Sequence, residues 1–189
     1  MKVLKWVLFT IGGIIVIVLV ASIFIKKEYA VEREIFINRP QAVVFNYVKY
    51  LKNQDNYTVW GSLDPQMKRE YRGTDGTVGF VAAWDSKNSH VGKGEQEITD
   101  IQTGERIDYN LRFMEPFESK AHTYFALAAA SENVTKVVWG FDGKMSYPTN
   151  FMRLFMNMDK MLGPDFEKGL QKLKEILESQ PADTVYYNE

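Results

Sequence analysis

A chain of 189 residues with a formal net charge of −1 suits one domain with a sizeable core, and it offers no strong electrostatic pull toward nucleic acid. It contains no cysteine and only two histidines, which excludes disulfides, thiol catalysis and cysteine-ligated metals. Aromatic residues are abundant, with four Trp, ten Tyr and twelve Phe, and such a surplus furnishes either a core or a lined pocket.

After a short start, residues 1–5, the chain runs uncharged from Trp6 to Ile25. As a helix these positions span roughly 30 Å, the thickness of a bilayer's hydrocarbon core. Lys2 and Lys5 precede the run, and Lys26 and Lys27 close it. The length, the poor small-x-small match at Val20-Ala21-Ser22 and the apolar continuation through Ile25 favour a retained transmembrane helix over a cleaved signal. Basic residues flank both sides, so the positive-inside rule is nearly balanced. The preferred orientation puts the amino terminus in the cytoplasm and the bulk of the chain outside, periplasmic or extracellular.

From Glu28 to Asn38 the chain alternates as a strand, with Tyr29, Val31, Ile35 and Ile37 on one face and Glu32 and Glu34 on the other. Arg33 falls in the apolar series; its head is expected to reach water, with a pocket charge as the sharper alternative. Asn38 and Pro40 read as the cap and first turn of a helix carrying Val43, Val44, Tyr47, Val48 and Leu51. Tyr57–Trp60 reads as a second short helix or a lid, and Gly61–Pro65 as a loop. Met67–Arg72 and Thr77–Asp85 are strands joined by the Gly73–Gly76 turn. The second of these places Val78, Phe80, Ala82 and Trp84 on one face.

Val91–Ile101 follows, with Gly92 and Gly94 marking a bulge or sharp curve. Arg106–Met114 alternates Ile107, Tyr109, Leu111 and Phe113 against Asp108, Asn110 and Arg112. Lys120–Ala130 and Thr135–Met145 complete the strands, the last with Val137, Trp139 and Phe141 on one side. Tyr147–Asn150 caps a long helical region whose first stripe is Phe151, Leu154, Phe155, Met158, Met161 and Leu162. Gly163-Pro164 is expected to break or kink it. Phe166, Leu170, Leu173 and Leu177 continue the stripe to about Ser179, and residues 180–189 read as a disordered tail.

Chemistry is sparsely signalled. His90 and His122 lack a neighbouring ligand cluster, so no metal is expected. There is no nucleophile elbow and no phosphate loop, and no cofactor is implied. General acid–base catalysis is the enzymatic option that remains. Its candidates are Glu95, Glu97, Asp108, Tyr109, Arg112 and His122 on the middle strands, with a solvent-facing role for Glu95, Glu97 and Asp108 as the competing reading. The catalytic residues stay unknown.

The order strand, two helical pieces, about six strands and a long terminal helix resembles the helix-grip fold of the START-like superfamily, also called SRPBCC or polyketide cyclase/dehydrase-like. The carriers are Glu32–Pro40, the Trp60…Asp64-Pro65 loop, Gly73–Gly79, Trp84-Asp85-Ser86, Val91–Gly94, Thr135–Gly140 and Phe166–Lys174. The similarity is strongest to bacterial members that carry one amino-terminal membrane segment and have no assigned activity.

It implies an α+β fold over residues 29–179, with a curved antiparallel sheet wrapped on the carboxy-terminal helix around a cavity. The expected lining is Trp60, Phe80, Trp84, Tyr109, Phe113, Phe125, Trp139, Phe141, Phe155 and Met158. The expected function is to hold a hydrophobic small molecule or lipid beside the bilayer reached through residues 6–25. The alternatives are a cyclase/dehydrase-type enzyme and an interaction domain with a filled core.

Overall fold

The computed structural model describes residues 2–181; beyond Pro181, the expected tail lies outside the described residues. The apolar run forms helix α1, Lys2–Phe24, which is exposed along nearly its whole length and buries only Ser22. A short link leads into β1, Glu28–Ile37. Helices α2 (Gln41–Val48), α3 (Gln54–Tyr57) and α4 (Val59–Leu63) follow. Then come strands β2 (Lys68–Arg72), β3 (Val81–Asp85), β4 (Lys93–Gln102), β5 (Arg106–Glu115), β6 (Ser119–Ser131) and β7 (Val134–Lys144). A 3₁₀ turn, Thr149–Leu154, precedes helix α5, Met158–Ser179.

The seven strands form one antiparallel sheet in the order β1-β7-β6-β5-β4-β3-β2. Because each hairpin-linked strand pairs with its neighbour, the register fixes two distinct ends. Glu28 lies opposite Lys144, Ala121 opposite Gly143, Phe113 opposite Ser119, and Lys93 opposite both Glu115 and Asp85. The start of β1, the β5–β6 tip and the end of β7 therefore share one end, where α1 enters; we call it the anchor end. The β4–β5 turn and the Ile37–Thr135 pairing mark the far end.

Helix α5 lies across the concave face. Its stripe Phe166, Leu170, Leu173 and Leu177 is buried, each side chain contributing about 1.5–3 kcal/mol of burial. The Asn157 side chain caps it, accepting from the Lys160 N–H at 3.1 Å. Contrary to the sequence expectation, Gly163 and Pro164 lie inside an unbroken helix. The interruption falls upstream instead, between the 3₁₀ turn and Asn157. Pro164 cannot donate to the preceding turn, yet Arg33 of β1 braces this point. Its guanidinium bonds Asp159 at 2.7 Å and Glu167 at 2.5 Å and passes over Gly163. A Cβ on Gly163 would sit 2.0 Å from Arg33 Nη2.

Three further expectations are corrected. Asn38 does not cap α2; Pro40 holds the N-cap position without a side-chain bond. Helix α2 stops at Val48, and Leu51 opens a separate 3₁₀ turn. Strand β3 begins at Val81 rather than Thr77, and Val78 is exposed. Gly73, Gly76 and Gly79 all adopt positive φ, so this segment coils where a straight strand was expected.

Candidate functional site

The interior differs between the two ends of the sheet. Toward the far end it is solid. Phe80, Ile98, Ile107, Tyr109, Phe125, Leu173 and Leu177 are almost completely buried and belong to one core cluster that includes Val44, Val48 and Tyr57. Toward the anchor end the same sheet and helix enclose a cavity of about 570 Å³. Its walls come from inward positions of the strands, from α4, and from the segment that leads into and begins α5.

Local packing sets the aromatic walls. Thr58 caps α4, accepting from the Gly61 N–H, and so presents Trp60 to the interior. Trp60 meets Trp139 and Phe166 edge-on, at centroid distances of 6.2 and 5.9 Å. Trp139 and Phe166 stack at 4.4 Å. Gly169 permits that approach, since a Cβ there would lie 2.8 Å from the Trp139 ring. Trp84 lies over Gly94 and meets Phe113 edge-on at 6.1 Å. Tyr29 covers Gly143 and stacks on Phe141 at 6.0 Å.

Two of the three wall indoles are satisfied within the protein. Trp139 Nε1 donates to Thr123 Oγ1 at 3.3 Å, and Trp84 Nε1 donates to the Val91 carbonyl at 3.2 Å. They therefore offer the cavity apolar ring surface rather than free donors.

Six of the ten expected lining residues border this space: Trp60, Trp84, Phe113, Trp139, Phe141 and Met158. Phe80, Tyr109 and Phe125 are fully buried in the core and do not border it. Phe155 is 79% exposed because it precedes α5, outside its regular stripe. Tyr29, Leu111, Met156, Met161, Leu162 and Phe166 also line the cavity. For Tyr29, Leu111 and Phe166 the signal was present, as inward positions of alternating or helical patterns. Nothing in the sequence separated the hollow half of those patterns from the solid half.

The polar candidates sit elsewhere. Glu95 is bonded by Arg72 at 2.6 Å and Arg112 at 2.7 Å, with Glu97 3.7 Å from Arg112. Asp108 is held by Arg106 at 2.8 Å and by His122 at 2.7 Å, and His122 also meets Asp142 at 3.2 Å. All these residues occupy the outward-facing positions of their strands, and none borders the cavity. Burial pushes the Asp108 carboxyl up, but Arg106 and His122 outweigh it and hold the group below the usual carboxylate range.

Tyr109 points inward, yet burial drives its hydroxyl far above the ordinary phenol range. It stays protonated and is no base. At the cavity wall Asp55 pairs with Arg69 at 2.7 Å and accepts from the Tyr71 hydroxyl at 3.2 Å; Gln54, Gln96, Glu115 and Thr123 border the same space. His90 also borders the cavity and is exposed. Among the described residues no cluster of His, Asp and Glu is placed to hold a metal ion.

The family described as polyketide cyclase/dehydrase and lipid transport matches residues 29–178. A search of curated proteins gives no match. Solved structures give the same fold at low identity. A Nitrosospira multiformis protein is 16% identical with a TM-score of 0.58, over 81% of this chain and 100% of its own. A Rhizobium leguminosarum protein is 19% identical with a TM-score of 0.55, over 82% and 97%. Norcoclaurine synthase from Thalictrum flavum, in complex with dopamine and hydroxybenzaldehyde, is 8% identical with a TM-score of 0.60, over 82% and 90%. With its seven antiparallel strands gripping a long terminal helix, the chain belongs to the polyketide cyclase/dehydrase and lipid transport family of the START-like superfamily.

Proposed function

We propose that the chain is a membrane-tethered binding module that holds a hydrophobic small molecule or lipid in the cavity. The observation that carries this reading is the space of about 570 Å³ walled by Trp, Phe, Leu and Met side chains. Burial of apolar ligand surface there is worth about 25 cal/mol per Å², and methionines adapt to irregular shapes. The contacts come from Trp60, Trp84, Phe113, Trp139, Phe141 and Met158, joined by Tyr29, Leu111 and Phe166. The family description and the aromatic ligands of norcoclaurine synthase support a small-molecule role.

In the same reading residues 6–25 span a bilayer, residues 29–179 form the binding domain, and the amino terminus faces the cytoplasm. The length and apolarity of α1 support a span. A cyclase/dehydrase activity finds less support, because Glu95, Glu97, Asp108 and His122 face away from the cavity. Asp55, Arg69, Tyr71, His90, Gln96 and Glu115 are among the polar groups that a cavity ligand would meet.

The test is native mass spectrometry of the full chain purified in a mild detergent. Wild type is expected to retain an apolar adduct. Leu111→Trp, which fills the cavity from β5, is expected to lower retention roughly tenfold, about 1.4 kcal/mol. Wild-type protein that is consistently empty sinks the reading.

A further inference from the structure

Helix α1 is fastened to the domain at its carboxy-terminal end, and that contact is specific. The fully buried Ser22 hydroxyl donates to the Val18 carbonyl at 2.7 Å, with the Pro148 carbonyl 3.1 Å away. The Asn150 side-chain nitrogen donates to the Ser22 and Ile25 carbonyls at 2.7 and 2.9 Å. Arg153 donates to the Lys26 carbonyl at 2.6 Å, and the Met145 N–H donates to the Lys27 carbonyl at 2.9 Å. The 3₁₀ turn Thr149–Leu154 is thus fastened at the depth of Ser22. Ser22 lies about 4.5 Å inside Ile25 along the helix axis. A bilayer whose core ends near Ile25 must bring this turn into its interfacial layer.

The surface around the turn suits that position. Leu154, Phe155 and, on the β5–β6 tip, Phe117 are 64%, 79% and 81% exposed. Phe117 borders the cavity, as does Met156 beside Phe155. The cations Lys26, Lys27, Arg153 and Lys160 lie in the same segments, and none has a carboxylate partner among the described residues. Exposed aromatic and leucine side chains in segments that carry cations without carboxylate partners match the boundary between acyl chains and headgroups.

We propose that the anchor end of the domain is seated in the interfacial layer of the bilayer that holds α1, so that the cavity opens onto that leaflet. This rests on α1 spanning the membrane and requires no particular ligand. An apolar molecule then passes between leaflet and cavity without crossing water.

The absence of cysteine gives a direct test in the full chain. Phe117→Cys and Phe155→Cys are each labelled with an environment-sensitive fluorophore. Thr103→Cys, on the β4–β5 turn about 30 Å away along the strands, is the control. The proteins are reconstituted into phosphatidylcholine–phosphatidylglycerol vesicles with and without nitroxide-bearing lipids.

Nitroxides about 5–10 Å below the headgroups are expected to quench the labels at 117 and 155 roughly twofold and to leave 103 unchanged. If both labels are as unquenched as the control in protein that floats with the vesicles, the proposal falls and the tether stands. Blue-shifted but unquenched labels mean that another protein covers the surface, which also overturns it. Protein that does not float with the vesicles overturns the tether and the proposal together. An empty cavity in mass spectrometry alongside quenched labels refutes only the ligand reading.

Discussion

Gly163 is small because Arg33 occupies the space where its side chain would stand. Gly163→Leu is expected to destabilise the protein by about 1–3 kcal/mol through overpacking, read as a lower urea midpoint. In an Arg33→Ala background the same change is expected to cost less, because the obstructing guanidinium is gone. A double-mutant cycle measures that coupling.

Asp108 carries a pH prediction with a definite sign. Its pKa is depressed in the folded state, so its contribution is present above the unfolded value and is lost as pH falls through the folded one. Urea midpoints are therefore expected to fall below about pH 4, and Asp108→Asn to flatten that part of the acid limb.

At this scale the sequence was a partial guide. Alternation put Trp84, Phe113, Trp139 and Phe141 on the inner face, and they are there. It put Phe80, Tyr109 and Phe125 on the same face with equal justice. Period two distinguishes inside from outside, and it does not distinguish packed from hollow.

The 3₁₀ turn is the element that fastens the end of α1 to the domain. Asn150 is its keystone, since one buried amide satisfies two carbonyls at the end of α1. Asn150→Ala is expected to loosen the turn by about 1–3 kcal/mol, seen as faster amide exchange over residues 149–154. Global unfolding should hardly move, because the solid half of the core lies at the other end. The apolar run of α1, the α5 stripe and all seven strands were readable from hydropathy and periodicity, β3 with its start set four residues too early. The break before α5 was misplaced because Gly163-Pro164 is the stronger local breaker. Only the tertiary brace from Arg33 to Asp159 and Glu167 explains why the helix passes through it. Asn157, the actual cap, follows a methionine-rich stretch whose pattern runs on without interruption.

For the molecule as a whole, the order of elements was enough to give the family architecture, because consecutive strands joined by tight turns close an antiparallel sheet. The volume of the cavity was not legible. It depends on how far α4 and the start of α5 stand off the sheet, which no single residue encodes. Full-length protein is expected to remain with the membrane after alkaline extraction, and a chain beginning at Glu28 to be released. Release of the full-length chain would remove the tether.

The uneven interior has an evolutionary corollary. Residues at the centre of the core, such as Ile107, Phe125 and Leu173, are largely separate from those that border the cavity, such as Trp84, Leu111 and Phe113. Selection can rewrite the second set while the first keeps the scaffold intact. A library randomised at the cavity-facing positions is then expected to yield mostly folded proteins.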